Sequence, residues 1–302
     1  MAQPSFIAVD WGSSSFRAWA VSTAGEVIAA RSGPDGLKSV KDRDFEAVIR
    51  RHCGDWLEAD PTLPVLTQGM VGARGGWQEA PYAACPVRFA DLAANAGRFH
   101  IGAHPVVILP GACMKTDTGG DVMRGEEVQI LGAAILTGRD EAVICIPGTH
   151  SKWARLAAGT LSGFQTFVTG ELFQLLLNSS LVGALAEGDE MQEAAFGRGL
   201  DRGAALPLSH AVFAGRASVL TGQMPGTEVA AFLSGVLIGA ECAAQPADDS
   251  PVLLLASGVL ADRYARALDH FGRAHLPVDA DAASLAGLTR VAQDLWPRRV
   301  AA

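Results

Sequence analysis

"VDWGSSSFRAW", residues 9–19, sets a carboxylate, a glycine and three serines between two apolar stretches. On either side of it, "SFIAVD" has the pattern of a buried strand, "SFRAWAVS" of a second and "EVIAAR" of a third, with turns at "WGSSS" and "STAG". That order predicts a small antiparallel meander. It returns later in the chain as "EAVICI", the turn "PGTHS", "KWARL", the turn "AAG" and "TLSGFQTFVT". Gly12 and Gly148 hold matching places in the first turn of each copy, and Gly25 and Gly159 in the second.

The segments downstream of each copy strengthen the repeat. Helical stretches at 43–57 and 126–136 alternate with strand-like runs at 64–67 and 106–109, and helical stretches at 229–243 and 260–271 flank "PVLLLAS". A meander and then alternating helix and strand, twice over, predicts an α/β protein of two lobes with mixed sheets and a cleft between them. The boundary is expected in "LTGRDEA", residues 136–142, giving lobes 1–138 and 139–302, with the last helix a candidate to cross back. Residues 187–203 and 244–250 read as surface excursions because they are polar or rich in glycine and alanine.

Composition supports two cores. The chain has 302 residues, 49% of them hydrophobic and 19% charged, which suits compact domains near the size at which single cores stop growing. A formal charge of -8 with scattered Lys and Arg argues against a phosphate-tracking surface for nucleic acid. No signal-like segment opens the sequence and no apolar run reaches membrane-spanning length, so a cytoplasmic protein without membrane partners is expected. A homo-oligomer is compatible with all of this. Cys53, Cys85, Cys113, Cys145 and Cys242 are far apart and odd in number, so they suggest neither a disulfide framework nor a metal site.

A strand-end turn that lets backbone approach a ligand needs glycine, and neighbouring hydroxyls add donors for phosphate oxygens. Gly12, Ser13 and Ser14 meet that requirement, as do Gly148 and Thr149. Either turn alone is an ordinary hairpin. The pair, with Asp10 beside one and His150 and Lys152 beside the other, points to a polyphosphate, with Asp10 facing it through a hydrated Mg²⁺. "HIGAH" spaces His100 and His104 as helical metal ligands would be, but Gly102 and Pro105 oppose a helix, so it is read as a loop without metal.

With these turns, "DWGSSSFRAW" (10–19), "GMVGARGGWQEAPY" (69–82), "VMRGEEVQILGA" (122–133), "PGTHSKW" (147–153), "TGELF" (169–173) and "FLSGVLIGAE" (232–241), the chain resembles the sugar kinases related to actin, hexokinase and the 70-kDa heat-shock ATPases. Within them it is similar to the 2-dehydro-3-deoxygalactonokinase family. The resemblance implies two ribonuclease-H-like lobes with ATP and Mg²⁺ between them. It also implies transfer of the γ-phosphate to 2-dehydro-3-deoxy-D-galactonate, giving the 6-phosphate in galactonate catabolism.

By the same resemblance, the carboxylate base starts the helix before the second phosphate turn: Glu126, with Glu127 as the alternative and Asp121 in reserve. A Glu pair at a helix start also complements the macrodipole without any catalysis. Arg74 and Arg124 lie in motif segments that should border the acceptor, where arginine suits a carboxylate, and Trp77 and Tyr82 are candidates to pack on the sugar chain. The adenine pocket is implied near Gly258, in "LLLASGVLADRY" (253–264). Two rivals stand beside this reading: a kinase of another sugar or sugar acid, and a non-catalytic nucleotide-regulated sensor on the same scaffold.

Overall fold

The computed structural model describes residues 3–117, 119–246 and 250–300. It divides into unit 1 (Met1–Ala142, Ala154–Phe164 and Asp279–Ala302) and unit 2 (Val143–Trp153 and Gln165–Val278).

The first half of the chain runs β1 (Phe6–Trp11), β2 (Phe16–Val21), β3 (Val27–Gly33), α1 (Phe45–Ala59), β4 (Val65–Gly69), β5 (Tyr82–Ala84), α2 (Phe89–Ala94), β6 (Gly97–Ile101), β7 (His104–Ile108), β8 (Gly111–Thr116), β9 (Gly119–Met123) and α3 (Glu126–Thr137). The main sheet has the order β3-β2-β1-β4-β7-β6. Its meander is antiparallel, β1, β4 and β7 are parallel, and β6 returns antiparallel to β7. Every residue of β1 is buried, as expected of an interior strand covered on both faces. Helix α1 turns Phe45, Val48, Ile49, Cys53, Trp56 and Leu57 to the core at helical spacing, and the Asp44 carboxylate caps it by accepting from the Ala47 amide.

The chain continues through β10 (Ala142–Ile146), β11 (Ser151–Ala157), β12 (Thr160–Phe167), α4 (Thr169–Ser179), α5 (Glu193–Ala205), α6 (Leu208–Ala211), α7 (Phe213–Leu220), α8 (Val229–Ala243), β13 (Val252–Leu255), α9 (Gly258–His270), β14 (His275–Val278) and α10 (Ala280–Leu295). The second sheet, β12-β11-β10-β13-β14, repeats the strand order of the first: three meander strands, then strands parallel to the innermost one. This is the ribonuclease-H-like arrangement in duplicate.

Three local readings need correction. "HIGAH" is the tight connection of the β6–β7 hairpin, with Gly102 at φ +59°, and not an open loop. Residues 82–123 contain a sheet that period-2 reading missed, β5-β8-β9, because its strands are short and rich in glycine and alanine. Most instructive is the segment 187–203, read as a surface excursion, which contains most of α5. Its glycines are contact points: a Cβ on Gly199 would lie 2.2 Å from the Phe232 carbonyl oxygen, and one on Gly203 2.0 Å from that of Val236. From the other side, a Cβ on Gly235 would lie 2.2 Å from the Phe196 carbonyl oxygen. Small residues four apart let the two backbones touch, and α8 is thereby enclosed nearly all round. Of residues 244–250, 247–249 lie outside the described residues.

Unit 1 packs α3 on α10 in the same way, since Cβ atoms on Gly132 and Gly287 would meet the Ala283 and Val128 carbonyl oxygens at 1.9 and 2.4 Å. A Gly203→Ala variant should therefore lose about 1–3 kcal/mol or more through overpacking. Gly54→Ala, in the interior of α1 with nothing within 4 Å of the new Cβ, should gain about 0.5–1 kcal/mol by helix propensity. Urea unfolding midpoints of the two variants check both signs.

Candidate active site

In unit 1 the site grows from the end of β1. Asp10 is the penultimate residue of that strand and is buried. Opposite it on β2 stands Arg17, whose guanidinium lies 3.3 Å from the Asp10 carboxylate and also pairs with Asp281 in the first turn of α10. Burial raises the Asp10 pKa more than Arg17 and the Gln68 side chain lower it.

Next to β1, β4 ends at Gly69. Its φ of +92° and a would-be Cβ 2.6 Å from the Trp11 carbonyl oxygen leave no room for a side chain. Gly125, at φ +104°, approaches in turn, with its would-be Cβ 3.2 Å from the Gly69 Cα. This stack of backbones brings the start of α3 up to the end of β1.

The three carboxylates weighed as the base thus fall into different settings. Glu126 is half-buried, accepts from the Arg124 amide at 3.0 Å and is close enough to Asp10 to act on its titration. Glu127 is sealed: both its oxygens take the Gly125 amide, at 2.9 and 2.8 Å. Burial, reinforced by the Glu126 charge, pushes the Glu127 pKa up to about 8. Asp121 lies on β9, where its carboxylate accepts from the Val122 amide.

Arg124 is 8% exposed. One terminal nitrogen donates to the Ala80 carbonyl at 2.8 Å, and the guanidinium lies 4.3 Å from the centre of the Tyr82 ring. Its Nε and Nη1 are buried with no hydrogen-bond partner among the described residues. Two donors of this buried cation are thus unspent, and leaving them so is costly. Arg74 is exposed on the loop before Trp77. Trp77 itself stacks on Phe45 and meets Trp11 and Phe99 edge-on, a core placement.

The Gly12 turn is braced from behind. The Leu37 and Lys38 amides donate to the Gly12 and Ser13 carbonyls at 3.0 and 3.1 Å, and Gly36 lies so close that a Cβ would come within 2.4 Å of Ser14 backbone atoms. The Ser13 and Ser14 amides donate to no backbone group among the described residues. Sequence reading missed this brace, although Gly36, in "GPDGLKS", was its visible trace.

In unit 2 the Gly148 turn joins β10 to β11. Thr149 and His150 are exposed, and His150 pairs with Glu171 at 2.5 Å. Lys152 is buried and its ammonium donates to the His150 carbonyl at 3.2 Å, a backbone tie within the turn. A small cavity opens between Gly148, Gly170, Phe173, Leu237, Leu260 and Arg263. Gly258, at φ +59°, starts the helix that supplies the last two.

A family model described as 2-keto-3-deoxy-galactonokinase matches residues 10–291. The "Probable 2-dehydro-3-deoxygalactonokinase DgoK1" of Rhizobium meliloti (strain 1021) is 38% identical over 300 residues, covering 97% of this chain and 98% of that protein. The 2-dehydro-3-deoxygalactonokinase of Escherichia coli (strain K12) is 36% identical over 291 residues, 95% of this chain and 97% of that protein. A crystal structure from Sinorhizobium meliloti, assigned as a 2-dehydro-3-deoxygalactonokinase protein, superposes with a TM-score of 0.90 at 38% identity, covering 97% of this chain and 99% of that one.

The raised pKa of Glu127 has a thermodynamic consequence. Between the unfolded value, about 4.3, and the folded value, about 8, the native state holds a proton that the unfolded state has lost. Stability from this group is thus full below pH ~4 and declines as pH rises to ~8, by at most about 1.4 kcal/mol per pH unit. Thermal unfolding from pH 5 to pH 8 should be less pH-dependent in Glu127→Gln than in the parent protein, and equal slopes would refute a raised pKa.

Proposed function

Since the chain belongs to the 2-keto-3-deoxy-galactonokinase family, we infer that it is a carbohydrate kinase that phosphorylates 2-dehydro-3-deoxy-D-galactonate at the expense of ATP, forming the 6-phosphate in galactonate breakdown. The observation that carries the reading is the buried Arg124 beside the start of α3, its Nε and Nη1 idle. A neutral sugar brings no charge to those two nitrogens, whereas a sugar acid brings a carboxylate.

In this reading Arg124 grips the substrate carboxylate and Arg74 adds a second, solvent-side contact. Trp77 supports the loop from the core. The turns at Gly12–Ser14 and Gly148–Thr149 bind the nucleotide phosphates through backbone and hydroxyl donors, with His150 and Lys152 shaping the second turn. Gly258 and the apolar wall with Leu260 and Leu237 take the adenine. Among the described residues no three His, Cys, Asp or Glu side chains converge as a metal cage. Asp10 is the residue that would hold a hydrated Mg²⁺ brought by the nucleotide, a role suited to a hard carboxylate oxygen. That ion neutralises charge on the phosphates when bound.

Glu126 accepts the proton of the terminal hydroxyl as the hydroxyl oxygen bonds to the γ-phosphorus and the bond to the ADP oxygen breaks. Its support is position: of the three candidate carboxylates it alone combines a place in the first turn of α3 with a partly accessible side chain. Glu127, sealed on the Gly125 amide, holds the turn that aims it. We place the reaction in the cytoplasm.

Coupled ADP-release assays with keto-deoxy sugar acids, neutral sugars and no acceptor test the whole reading. Turnover with the galactonate-derived acid is expected, and ADP release that ignores every acceptor would refute it. Glu126→Gln should lower kcat by roughly 10²–10⁴-fold with little change in ATP binding. Arg124→Met should raise the KM for the acid by about a hundredfold. Unchanged kcat in the first variant, or an unchanged KM for the acid in the second, removes the role given to that residue.

A further inference from the structure

We propose that Glu241, far along the sequence from the Gly148 turn, is the positioning residue that holds this turn in its phosphate-binding shape. The proposal rests on the assignment of that turn to the nucleotide phosphates. Glu241 sits near the end of α8 and is 1% exposed. Trp153 Nε1 donates to its Oε1 at 2.6 Å, the Tyr264 hydroxyl donates to its Oε2 at 2.9 Å, and the Thr169 hydroxyl donates to the same oxygen. With the Tyr264 proton committed, the Ser151 hydroxyl donates to the Tyr264 oxygen at 2.7 Å.

These donors flank the turn on both sides. Ser151 and Trp153 are the first and third residues of β11, directly after the turn, and both point inward. Thr169 opens α4, and the next residue, Gly170, presses on the turn itself. A Cβ there would lie 2.4 Å from the Gly148 carbonyl oxygen and 2.9 Å from the Thr149 Cα. The Glu171 amide donates to the Thr149 carbonyl at 2.9 Å. One carboxylate thus fixes the strand that leaves the turn and the helix end that backs it. A buried carboxylate that only filled space would be replaceable by a well-packed apolar residue. Here the donors come from the two segments whose separation sets the shape of the turn.

Isosteric exchange is predicted to be tolerated. In Glu241→Gln the amide oxygen still accepts from Trp153, and the amide nitrogen donates to the Thr169 and Tyr264 oxygens once those hydroxyls reverse. Glu241→Ala and Thr169→Val cut the tie to α4. In the full-length enzyme each should raise the KM for ATP by about tenfold while the KM for the sugar acid stays unchanged. Glu241→Gln and Thr169→Ser should return the ATP KM to within about twofold of the parent. Thr169→Val carries the test if Glu241→Ala does not fold.

An unchanged ATP KM in Thr169→Val, or equal losses for both substrates, would overturn the proposal. Gly148→Ala separates this from the underlying assignment: a new Cβ there has room in the free protein, its nearest neighbour being 3.8 Å away, but it would stand where a phosphate must approach. If Gly148→Ala raises the ATP KM and Thr169→Val does not, the role of Glu241 fails alone. If Gly148→Ala has no effect, the phosphate assignment of the turn fails and the proposal with it.

Discussion

The contact of backbone on backbone at Trp11, Gly69 and Gly125 is the constraint on which the unit 1 site depends. Helix α3 can bring its acidic first turn to the end of β1 only if nothing projects from the two residues between them. A side chain at Gly69 would collide with the Trp11 carbonyl, and one at Gly125 would be forced against Gly69. Both residues also have backbone angles that other residues rarely adopt. Asp10, Glu126 and Arg124 owe their proximity to this stack. So does the isolation of Glu127, whose carboxylate is spent on the Gly125 amide.

Each unit uses a similar device behind its glycine turn. In unit 1, Gly36 lies against Ser14 while the next two amides bond to the turn carbonyls. In unit 2, Gly170 lies against the Gly148 carbonyl while the Glu171 amide bonds to Thr149. In both cases a second glycine, distant in sequence, lets a supporting segment come close enough to satisfy carbonyls on the back of the turn. The amides of the turn are not consumed by this bracing. A turn held only by its own residues would have more freedom, and ordering it would weaken binding.

Buried charge obeys the same logic of support. Asp10, Glu127 and Glu241 all have pKa values raised mainly by burial, and each is held by specific donors or a cation. Arg124 differs because two of its nitrogens have no such partner. Unpaired buried donors are destabilising in a free protein, and a bound carboxylate would relieve them.

Much of this was legible in the primary structure. The two meanders arise from strand alternation broken by glycine turns, helix α8 from a continuous apolar run, and the Gly12 turn from serine and glycine beside Asp10. These are local properties, set by the period of the side chains and the conformations glycine permits. The α5–α8 contact was not legible, because "AAFGRGLDRGAA" has the composition of a loop and becomes a helix only when its glycines meet those of "FLSGVLIGAE". The different settings of Glu126, Glu127 and Asp121 likewise belonged to tertiary structure, since three nearby carboxylates differ only in what surrounds them. The residue types were written along the chain, but burial and backbone approach, which depend on residues far apart in sequence, decided which of them are sealed, paired or exposed.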